Sequence, residues 1–462
     1  MSRLEQVFKA YDVRGTVPDQ LDADMCRAIG RAMARFAGAR EILVARDMRE
    51  SGVELSGAFS DGVRSEGVDV ADLGLASTDF LYFASGHLDA PGAMFTASHN
   101  PAQYNGLKMC LSGARPIGRD TGLADIEATA EKLLDEPVPP LTGSRREVDL
   151  FGEWADHVLS FIDVSSLRPL RVVADTANGM GGLVVPIIFD RLPFTIEILF
   201  PELDGTFPNH PADPIQPENL VALKKAVLEL GADVGLAFDG DADRVFLVDE
   251  KAEPVSGSLT TALVAASMLT KHPGETILHN LICSHVVPEV VREHGGTPVR
   301  TQVGHSIIKQ VMADTGAIFG GEHSGHYYYR DNFRADSGII TAMVVLELIS
   351  QSGTSLSELL QPYKRYADSG EINTEVADPK ATVAAITDAE RASGASVDLL
   401  DGLTVERADW WYNVRPSNTE PLLRLNVEAR TPEACAAHVA EVQHLISEYA
   451  GAGAGPNQGA PA

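Results

Sequence analysis

The sequence predicts an α/β protein built from several domains, and three observations support this fold class. Short apolar runs rich in β-branched residues alternate with amphipathic helical stretches, which is the pattern of α/β domains. Three of these runs close on an Asx residue, with helical sequence soon after: EILVARD at Asp47, RVVAD at Asp175 and TILHN at Asn280. A chain of 462 residues is also too long for one ordinary core, and the spacing of the three runs matches domain lengths.

One helix and two strands are predicted most directly from the pattern. The helix runs from Asn219, as its N-cap, to Gly231, where it stops. Its apolar positions are spaced for one buried face: Leu220, Leu223, Val227 and Leu230. VGLAF at 234–238 follows as a buried strand, and LLRLNVEA at 422–429 alternates as a half-exposed strand does.

Segments rich in Pro and polar residues divide the chain into four domains. The linker candidates are DEPVPPLTGSRRE at 135–147, KAEPVSG at 251–257 and the stretch 363–370. The predicted domains are residues 1–146, 147–251, 252–366 and 367–449, the last with the order strand, helix, strands, helix. Residues 450–462, AGAGAGPNQGAPA, are too small and polar to pack, so a disordered tail is predicted.

The composition excludes several classes of partner. With 65 acidic and 37 basic residues the formal net charge is −28, which argues against nucleic acid and against anionic membranes. The four cysteines lie far apart without metal-ligand spacing, so buried thiols in a reducing compartment are expected. The N-terminal residues carry charges where a signal peptide needs an apolar stretch, and no run reaches the length of a membrane span. A cytoplasmic globular protein is expected.

The acidic turn DGDADR, which ends at Arg244, is the strongest functional signal. It crowds Asp239, Asp241 and Asp243 between the strand VGLAF and the apolar run VFLVD. Carboxylates this close repel one another unless a hard cation joins them through oxygen ligands. A solvated acidic turn is the plain alternative. A calcium loop would explain Glu250 at the twelfth position, but Arg244 stands where that loop needs Gly. Magnesium with a phosphate oxygen is therefore the preferred interpretation.

The segment TASHNP, at 96–101, is the second signal. It places Ser98 in a turn that Pro101 enforces, with His99 and Lys108 close in sequence, and the pair 105–106 (Asn-Gly) predicts a second turn. A small hydroxyl on a strand-end loop suits a nucleophile or a phosphoryl carrier. The alternative is a solvent-facing Ser-His pair, and the absence of a GxSxG elbow argues against an α/β-hydrolase.

The segment GGEHSGH, at 320–326, is the third signal. Its glycines are expected to let the backbone approach a ligand closely. Glu322 and Ser324 offer an acceptor and a donor–acceptor suited to vicinal sugar hydroxyls. The alternative is a Gly-rich turn with incidental polar residues.

The segment RPSNTEP, at 415–421, is the fourth signal. Arg415 can fork onto a phosphate. Ser417, Asn418 and Thr419 add donors in a turn that favours an anion, although Asn and Ser are also simply good turn formers.

Two further segments bear polar groups near predicted element ends. His305 heads the predicted helix SIIKQVMADTG, where free N–H groups can meet an anion, although it can equally be an ordinary cap residue. YDVRG near the N-terminus places Tyr11 and Arg14 before Gly15, or is an ordinary exit from a strand.

Together these segments resemble the α-D-phosphohexomutase superfamily, most closely its bacterial phosphomannomutase/phosphoglucomutase branch. The resemblance covers nearly the whole chain and keeps the order FKAYDVRG, TASHNP with NGLK, DGDADR, GEHSGH and RPSNTEP. The stretch DGTFPNHPADPIQPEN at 204–219 is also similar to that family's segment before the metal loop. These motifs in this order are far more specific than any one of them.

The resemblance implies four domains around a central cleft, three of them related α/β domains with mixed sheets and the last a smaller C-terminal α+β domain. It implies that Ser98 is a phosphoserine and, with Asp239, Asp241 and Asp243, holds Mg²⁺. The other catalytic positions that it implies are Arg14, His99, Lys108, Arg244 and His326. The implied substrate-binding positions are Tyr11, His305, Glu322, Ser324, Arg415, Ser417, Asn418 and Thr419.

The resemblance also implies a reaction cycle. Phosphorylated Ser98 gives its phosphoryl group to a bound hexose phosphate, and the hexose 1,6-bisphosphate turns end over end before returning its other phosphate. Orientation supplies on the order of 7–11 kcal/mol in such a site. Three carboxylates, a phosphoserine and Mg²⁺ leave a charge of roughly −3, which Arg14, Lys108 and Arg244 can offset. Proton transfer at the sugar hydroxyl is expected from Lys108 and His326.

Several alternatives stay open at this point. Mannose is the expected hexose and glucose the alternative, while phosphoglucosamine mutase fits FKAYDVRG and GEHSGH less well. Ile282 stands where relatives often carry a lysine, so one cationic contact to the sugar or a phosphate is expected to be missing. Two interpretations other than a mutase remain: a serine- and metal-dependent sugar phosphatase, and a sugar-phosphate-binding protein. Hexose phosphates are the expected partners of a monomer or homodimer.

Overall fold

The computed structural model describes residues 3–417 and 422–452, and its first domain is built on a mixed sheet. The strands are β1 (Val13–Thr16), β2 (Glu41–Arg46), β3 (Asp69–Leu75), β4 (Gly92–Phe95), β5 (Tyr104–Leu111), β6 (Arg115–Pro116) and β7 (Arg145–Glu147). The helices are α1 (Ala23–Ala37), α2 (Ser51–Ser65), α3 (Thr78–Leu88) and α4 (Leu123–Leu133). The strand order is β1-β5-β4-β2-β3-β7, with β6 paired to β5.

The second domain has a smaller mixed sheet in the order β12-β11-β10-β8-β9. Its strands are β8 (Arg171–Asp175), β9 (Thr195–Leu199), β10 (Val234–Phe238), β11 (Val245–Asp249) and β12 (Pro254–Val255). The helices are α5 (Phe151–Leu159), α6 (Gly181–Phe189) and α7 (Val221–Leu230).

The third domain has a mixed sheet in the order β14-β13-β15-β16. Its strands are β13 (Thr276–Asn280), β14 (Thr297–Thr301), β15 (Phe319–Gly321) and β16 (Tyr327–Tyr329). The helices are α8 (Gly257–Lys271), α9 (Val286–Glu293), α10 (His305–Thr315), α11 (Gly338–Ser352) and α12 (Leu356–Leu359).

The three strands that end on Asx residues occupy the same place in each of these sheets. In the orders β3-β2-β4-β5, β9-β8-β10-β11 and β14-β13-β15-β16, the first three strands are parallel and the fourth is antiparallel. The Asx-ended strand is always second. The predicted internal repeat is therefore confirmed as three related α/β domains.

The repeat also relates the three loops that carry polar motifs. TASHNP joins β4 to β5, DGDADR joins β10 to β11, and GEHSGH joins β15 to β16. Each loop lies at the carboxyl end of an equivalent parallel strand. Because the same edge of each repeat faces inward, residues far apart in sequence can meet in one site.

The C-terminal domain is a smaller α+β unit with an antiparallel sheet. Its strands are β17 (Ala367–Asp368), β18 (Ile372–Glu375), β19 (Ser396–Asp398), β20 (Leu403–Glu406), β21 (Trp410–Pro416) and β22 (Leu422–Ala429). The helices are α13 (Pro379–Ala392) and α14 (Pro432–Ala452). The strand order is β17-β22-β21-β20-β19, with β18 also paired to β22.

Local sequence explains where several helices begin and end. The side chains of Asp22, Ser256 and Ser337 accept hydrogen bonds from the first turns of α1, α8 and α11. Gly38 and Gly353 follow α1 and α11 in the left-handed conformation that favours glycine. These caps fix both ends of helices that pack beside the sheets.

Apolar packing joins the first three domains and leaves the fourth with its own core. One cluster of buried side chains includes Phe80, Trp154 and Tyr329, which come from three different domains. A separate cluster in the C-terminal domain is centred on Tyr412 and Leu425. Because the hydrophobic effect scales with apolar area removed from water, the first three domains are held together more strongly.

No single helix in the described residues is both long and apolar enough to cross a membrane. Two consecutive helical segments, Gly338–Ser352 and Leu356–Tyr363, are long and apolar enough only when they are taken together, and the chain bends by 95° between them. The four cysteines are free and buried, as expected from their spacing.

The helix predicted from Asn219 begins later than expected. A 3₁₀ turn, Pro217–Leu220, precedes α7, and the amide of Asn219 donates to the Asp213 carbonyl oxygen instead of capping the helix. The predicted stop at Gly231 is confirmed by its left-handed conformation. Leu230 is 39% exposed, so the prediction that it is buried was wrong.

The turn predicted at 105–106 was wrong, because both residues lie inside β5. A side chain at Gly106 would collide with the Val13 carbonyl oxygen on β1, at 2.1 Å from a Cβ atom. The glycine therefore permits a close approach between strands. The Asn105 amide donates to the Ser51 hydroxyl, which gives that residue a tertiary partner.

Two predicted linkers contribute short strands at their ends. Residues 145–147 form β7, which pairs with β3, and residues 254–255 form β12, which pairs with β11. At the C-terminus, residues 450–452 belong to α14, so the predicted tail begins within a helix, and residues 453–462 lie outside the described part. Strand β22 is confirmed, but its second half is buried on both faces, since Glu428 there accepts hydrogen bonds from His285 and Trp411.

Candidate functional site

The loops of the first two repeats meet at the Ser98 hydroxyl. Ser98 Oγ donates to Asp239 Oδ2 at 2.7 Å and accepts from Arg244 Nη2 at 2.8 Å. Arg244 also donates through Nε to Asp239 Oδ2, at 2.9 Å. The serine therefore lies directly against the acidic loop of the next domain. The residues around Ser98 in the sequence did not predict this contact.

Backbone geometry presents the Ser98 hydroxyl to that loop. Ser98 has φ 50°, a left-handed conformation that is uncommon for a residue with a side chain, and its N–H donates to Thr96 Oγ1 at 2.8 Å. Gly240 packs against it, because a Cβ at that glycine would lie 2.5 Å from the Ser98 carbonyl oxygen. Strained backbone held by tertiary contacts is typical of functional sites.

The buried side chain of Arg49 donates hydrogen bonds to the loop that carries Ser98. Arg49 Nη2 donates to the carbonyl oxygens of Ser98 and Asn100 at 2.9 and 2.6 Å, and Nη1 donates to those of Pro101 and Tyr104. Its Nε donates to Asp47 Oδ2 at 3.2 Å. Arg49 is a residue that sequence reasoning missed, although it lies two positions after the Asx residue that ends β2.

Lys108 projects from β5 onto the acidic loop. Its Nζ donates to Asp241 Oδ2 at 2.7 Å and to Asp243 Oδ2 at 2.5 Å. Burial acts to raise the pKa of the Asp241 carboxyl, but Lys108 and the Thr78 hydroxyl hold it well below its usual range. Burial likewise opposes the charge on Lys108, yet the two carboxylates raise its pKa well above the usual value. Both partners therefore stay ionised.

The acidic loop keeps oxygens available for a cation. Asp241 Oδ1 and Asp243 Oδ1 are buried and have no hydrogen-bond partner among the described residues. One carboxylate oxygen from each of Asp239, Asp241 and Asp243 can be chosen so that all lie within 4.8 Å of one another. Buried carboxylate oxygens without a donor are costly unless something else satisfies them. The three aspartates therefore fit a hard divalent cation.

The charge of Asp239 is disfavoured by its burial. Burial raises its pKa to about 7, opposed by Arg244 and supported by the other two carboxylates. A cation or a further positive charge at this loop would lower that pKa again.

Two histidines line the site and differ in environment. Burial, together with Arg244 and Arg14, lowers the pKa of His99 well below its usual value, so that ring is neutral. For His326, burial acts to lower the pKa but Asp243 and Asp336 raise it. His326 Nδ1 lies 2.8 Å from Asp336 Oδ2, which favours a proton on Nδ1 and leaves Nε2 as the acceptor.

Asp336 and Lys309 extend this network, and sequence reasoning missed both. Lys309 Nζ lies 2.9 Å from Asp336 Oδ1 and 3.6 Å from the centre of the Tyr82 ring in the first domain. Lys309 is almost fully buried, so its charge is offset by the carboxylate and the ring. In the sequence, a lysine one turn inside the predicted helix is the weak signal that could have identified Lys309.

All six predicted catalytic positions line one small cavity. It measures about 130 Å³ and is lined by Tyr11, Asp12, Arg14, Tyr82, Ser98, His99, Lys108, Asp243, Arg244, His326 and Asp336. Arg14 donates to the Asn100 side chain at 2.6 Å, and the Tyr11 hydroxyl donates to the Val303 carbonyl at 3.1 Å. The first three domains thus contribute to the same cavity.

Glu322 is less available than expected. It is 2% exposed, and its carboxylate accepts from the Tyr328 hydroxyl at 2.8 Å and from the Gly304 N–H at 3.2 Å. These bonds tie the start of α10 to the β15–β16 loop. Ser324 is half-buried in that loop. His305 is the first residue of α10, and its side chain lies outside the described part of the structure.

The glycines of GGEHSGH serve packing within the protein. A Cβ at Gly321 would lie 2.1 Å from Thr261 Oγ1, and one at Gly325 would lie 2.4 Å from the Phe246 ring. Gly320 lies against Leu278 in the same sheet. At these positions the missing Cβ makes room for protein atoms, and the expectation that the backbone here approaches a ligand stays a prediction.

The C-terminal domain contributes a pair of arginines. Arg415 on β21 lies directly opposite Arg424 on β22, and Glu371 lies within 2.9 Å of Arg415 Nη2 and 3.5 Å of Arg424 Nη1. Sequence reasoning named Arg415 and missed Arg424. Ser417 is half-buried after β21. Two other predicted phosphate contacts, Asn418 and Thr419, lie outside the described residues.

Sequence models of one enzyme family match the chain in four consecutive segments. They are described as phosphoglucomutase/phosphomannomutase alpha/beta/alpha domains I, II and III and C-terminal domain, and they match residues 5–136, 152–253, 256–366 and 371–445. The chain belongs to the phosphoglucomutase/phosphomannomutase family.

Individual relatives agree with this membership. A phosphomannomutase of Salmonella montevideo is 42% identical over 431 residues, which cover 92% of this chain and 94% of that protein. Phosphohexose mutases of Xanthomonas campestris pv. campestris are 41% identical over 425 residues, covering 92% and 95%. A phosphoglucomutase/phosphomannomutase family protein of Burkholderia thailandensis has a TM-score of 0.88 at 32% identity, covering 96% of this chain and 98% of that one.

Membership of the phosphoglucomutase/phosphomannomutase family makes the chain an intramolecular phosphotransferase that acts on hexose phosphates. In this chain the serine loop, the acidic loop and the third-domain loop come from equivalent positions of three repeats. Their meeting at one cavity explains why the sequence motifs keep a fixed order along the chain.

Proposed function

We propose that Ser98 carries the phosphoryl group of this hexose phosphate mutase. The observation that supports this most directly is the position of Ser98 Oγ, 2.7 Å from Asp239 Oδ2 and 2.8 Å from Arg244 Nη2. A phosphate on Oγ would stand between a cation-binding loop and a guanidinium group. Both stabilise the charge that spreads over a transferring phosphoryl group.

The bound cation is Mg²⁺ in this proposal. Asp239, Asp241 and Asp243 would hold it, with a phosphate oxygen of Ser98 as a further ligand, since Mg²⁺ prefers carboxylates and phosphates. When bound it neutralises charge on the phosphoryl oxygens. Lys108 already occupies the Oδ2 atoms of two of these aspartates and leaves their Oδ1 atoms to the metal.

The first transfer breaks the bond between phosphorus and Ser98 Oγ and forms a bond between phosphorus and the free sugar hydroxyl. The proton of that hydroxyl passes to His326 Nε2, because Asp336 holds the other ring nitrogen. We assign Lys108 to stabilising charge, since its raised pKa keeps it protonated and unable to accept a proton. Arg14 and Arg244 are placed to add positive charge beside Ser98.

The product of the first transfer is a hexose 1,6-bisphosphate. It turns end over end within the cleft. The bond between its other phosphorus and the sugar oxygen then breaks, a bond to Ser98 Oγ forms, and the sugar oxygen regains the proton from His326, so that the enzyme ends the cycle unchanged. The phosphate that does not react binds Arg415 and Arg424, with Ser417, Asn418 and Thr419. Ser324, His305 and Tyr11 orient the sugar between the two phosphates, and Glu322 supports them by accepting from the Gly304 N–H at the start of α10.

Mannose phosphates are the preferred substrates in this proposal, with glucose phosphates as a second pair. Support comes from the relatives at about 40% identity, which are called phosphomannomutases and phosphohexose mutases. Ile282 replaces the lysine expected at this position and is buried beside His323 and Asp368. The binding of the sugar thus lacks one cation in this chain.

Intact mass spectrometry tests the phosphoserine. Incubation with glucose 1,6-bisphosphate should add one phosphate to the wild-type chain and none to Ser98→Ala, whereas Ser112→Ala should behave as wild type. Mutase activity that persists in Ser98→Ala would overturn the proposal. Phosphate release faster than isomer formation would identify a phosphatase.

Substrate preference needs a separate assay. Mannose 1-phosphate and glucose 1-phosphate are compared side by side with Mg²⁺ and a bisphosphate primer. We expect both to turn over and kcat/KM to favour mannose 1-phosphate. A kcat/KM that favours glucose 1-phosphate would reverse the assignment.

A further inference from the structure

The carboxylate of Glu371 lies between the two arginines of the C-terminal domain. Its Oε2 is 2.9 Å from Arg415 Nη2 and its Oε1 is 3.5 Å from Arg424 Nη1. Arg415 is 8% exposed, so its charge is poorly solvated and the carboxylate is its main counter-charge.

The strands make this arrangement stable in the absence of any ligand. Arg415 and Arg424 are directly opposite on β21 and β22, where like charges repel. Glu371 directly precedes β18, which pairs with β22, so the sheet brings the carboxylate to both guanidinium groups. The single negative charge reduces the repulsion between the two positive ones.

The arginines retain donors for a second acceptor. Arg415 Nε and Arg424 Nε are buried and have no hydrogen-bond partner among the described residues. An anion that binds them must either compete with Glu371 or lie close to its negative charge. In both cases the carboxylate weakens the binding of that anion.

The triad lies beside the third-domain loop, since Gly370, which directly precedes Glu371, lines a small space together with His323. The charge of Arg415 acts on the Tyr11 hydroxyl and on the His323 ring, and the charge of Glu371 also acts on His323. Tyr11 lines the same cavity as Ser98. The arginine pair is therefore within reach of a ligand that spans the cleft.

We propose that Glu371 is a positioning residue that limits the affinity of Arg415 and Arg424 for the non-reacting phosphate of the substrate. This inference rests on the proposed function, in which that phosphate binds the arginine pair. The reason for such a residue lies in the cycle itself. Each phosphate of the bisphosphate must leave the arginines before the other can take its place, and two uncompensated guanidinium groups would slow that exchange.

The test compares Glu371→Gln with wild type in steady-state kinetics. The amide keeps the shape of the side chain and removes its charge, so KM for the hexose phosphate should fall by about 5-fold, the effect of losing one partly exposed charge. Inorganic phosphate should inhibit the variant at correspondingly lower concentration. Turnover should stay the same or fall, because release of the bisphosphate slows.

Two matched variants complete the experiment. Glu375→Gln removes the same charge from the exposed end of β18 and should leave KM unchanged. Glu371→Asp keeps the charge and should return KM towards the wild-type value. An unchanged or raised KM in Glu371→Gln would overturn the inference, since a raised value is the mark of a carboxylate that merely orients Arg415.

Arg415→Ala separates this inference from the function on which it rests. A large rise in KM for Arg415→Ala together with no fall for Glu371→Gln rejects the role of Glu371 and leaves the arginine site intact. An unchanged KM for Arg415→Ala rejects the arginine site itself.

Discussion

Ser98 in the β4–β5 loop and Asp239 in the β10–β11 loop are joined by a hydrogen bond of 2.7 Å across a domain boundary. The two loops occupy equivalent positions in consecutive repeats. The serine and the acidic turn therefore act as one unit, and each depends on the packing of two domains for its position.

Removing the charge of Asp239 should weaken cation binding at this unit. Asp239→Asn replaces a carboxylate by a weaker, neutral ligand, so Mg²⁺ affinity should fall and kcat should drop by about 100-fold or more. Calorimetric titration with Mg²⁺ and the mutase assay measure the two effects. Asp190→Asn, an exposed position at the end of α6, is the control. Wild-type Mg²⁺ affinity in Asp239→Asn would remove Asp239 from the metal site.

The clamp formed by Arg49 should matter for both stability and turnover. Arg49→Met leaves Asp47 buried without a counter-charge, which should cost about 3–5 kcal/mol of unfolding free energy. The carbonyl oxygens of Ser98 and Asn100 also lose their donors, so kcat should fall. Urea unfolding and the mutase assay measure the two effects.

A double variant distinguishes the two roles of Arg49. Asp47→Asn combined with Arg49→Met removes the uncompensated charge and should recover most of the stability. Turnover should stay low, because nothing replaces the hydrogen bonds to the serine loop. Recovery of full turnover in the double variant would show that Arg49 contributes only through stability.

Lys108 contacts two of the proposed magnesium ligands, so the effect of replacing it on stability should depend on magnesium. Lys108→Met leaves Asp241 and Asp243 without their counter-charge, so in a metal-free buffer the chain should lose about 3 kcal/mol of stability. Saturating Mg²⁺ should restore most of this stability but not the turnover, because the ammonium group also serves the phosphoryl group. Lys132→Met, at an exposed position of α4, is the control for melting and activity. Normal turnover in Lys108→Met would exclude Lys108 from the reaction.

The sequence was sufficient to predict what is local along the chain. Strands, the acidic turn and the repeat of Asx-ended strands are encoded in runs of a few residues, and all three are confirmed. The function of those Asx residues is not local. Asp47 binds Arg49, Asp175 binds His210, and Asn280 donates to Glu322, so each fixes a loop beside the site.

The features that could not be predicted depend on tertiary pairing. Gly106 looks like a turn residue in sequence, yet it lies in β5 because β1 passes too close for a side chain. Arg49 and Arg424 carry no motif of their own and acquire a role only when folded strands bring Ser98 and Arg415 near them. Burial of Glu322 likewise depends on Tyr328 and Gly304, which lie on other elements.

His210 should give stability a measurable dependence on pH. Burial acts to lower its pKa, but the hydrogen bond to Asp175 at 3.1 Å raises it above the usual value of about 6.5. A raised folded-state pKa means that the pair stabilises the fold fully below the unfolded pKa. That contribution is lost as pH rises through the folded pKa.

Urea unfolding of wild type and His210→Gln between pH 5.5 and 8.5 measures this effect. The stability difference should be largest at the acid end, at most about 1 kcal/mol for a partly exposed pair, and should shrink above neutrality. His444→Gln, at an exposed position of α14, should show no such trend. A difference that grows with pH would contradict the sign argued here.

His326 should affect the chemical step far more than substrate binding. Its Nδ1 is held by Asp336 Oδ2 at 2.8 Å, so Nε2 is the atom free to take a proton from the sugar hydroxyl. His326→Gln should lower kcat by about 100-fold to 10,000-fold with little change in KM, which is the usual contribution of a general base. His272→Gln, at the exposed end of α8, is the control. Asp336→Asn should lower kcat by less, because the ring remains but its orientation is no longer fixed, and a kcat near wild type in His326→Gln would give the proton to another group.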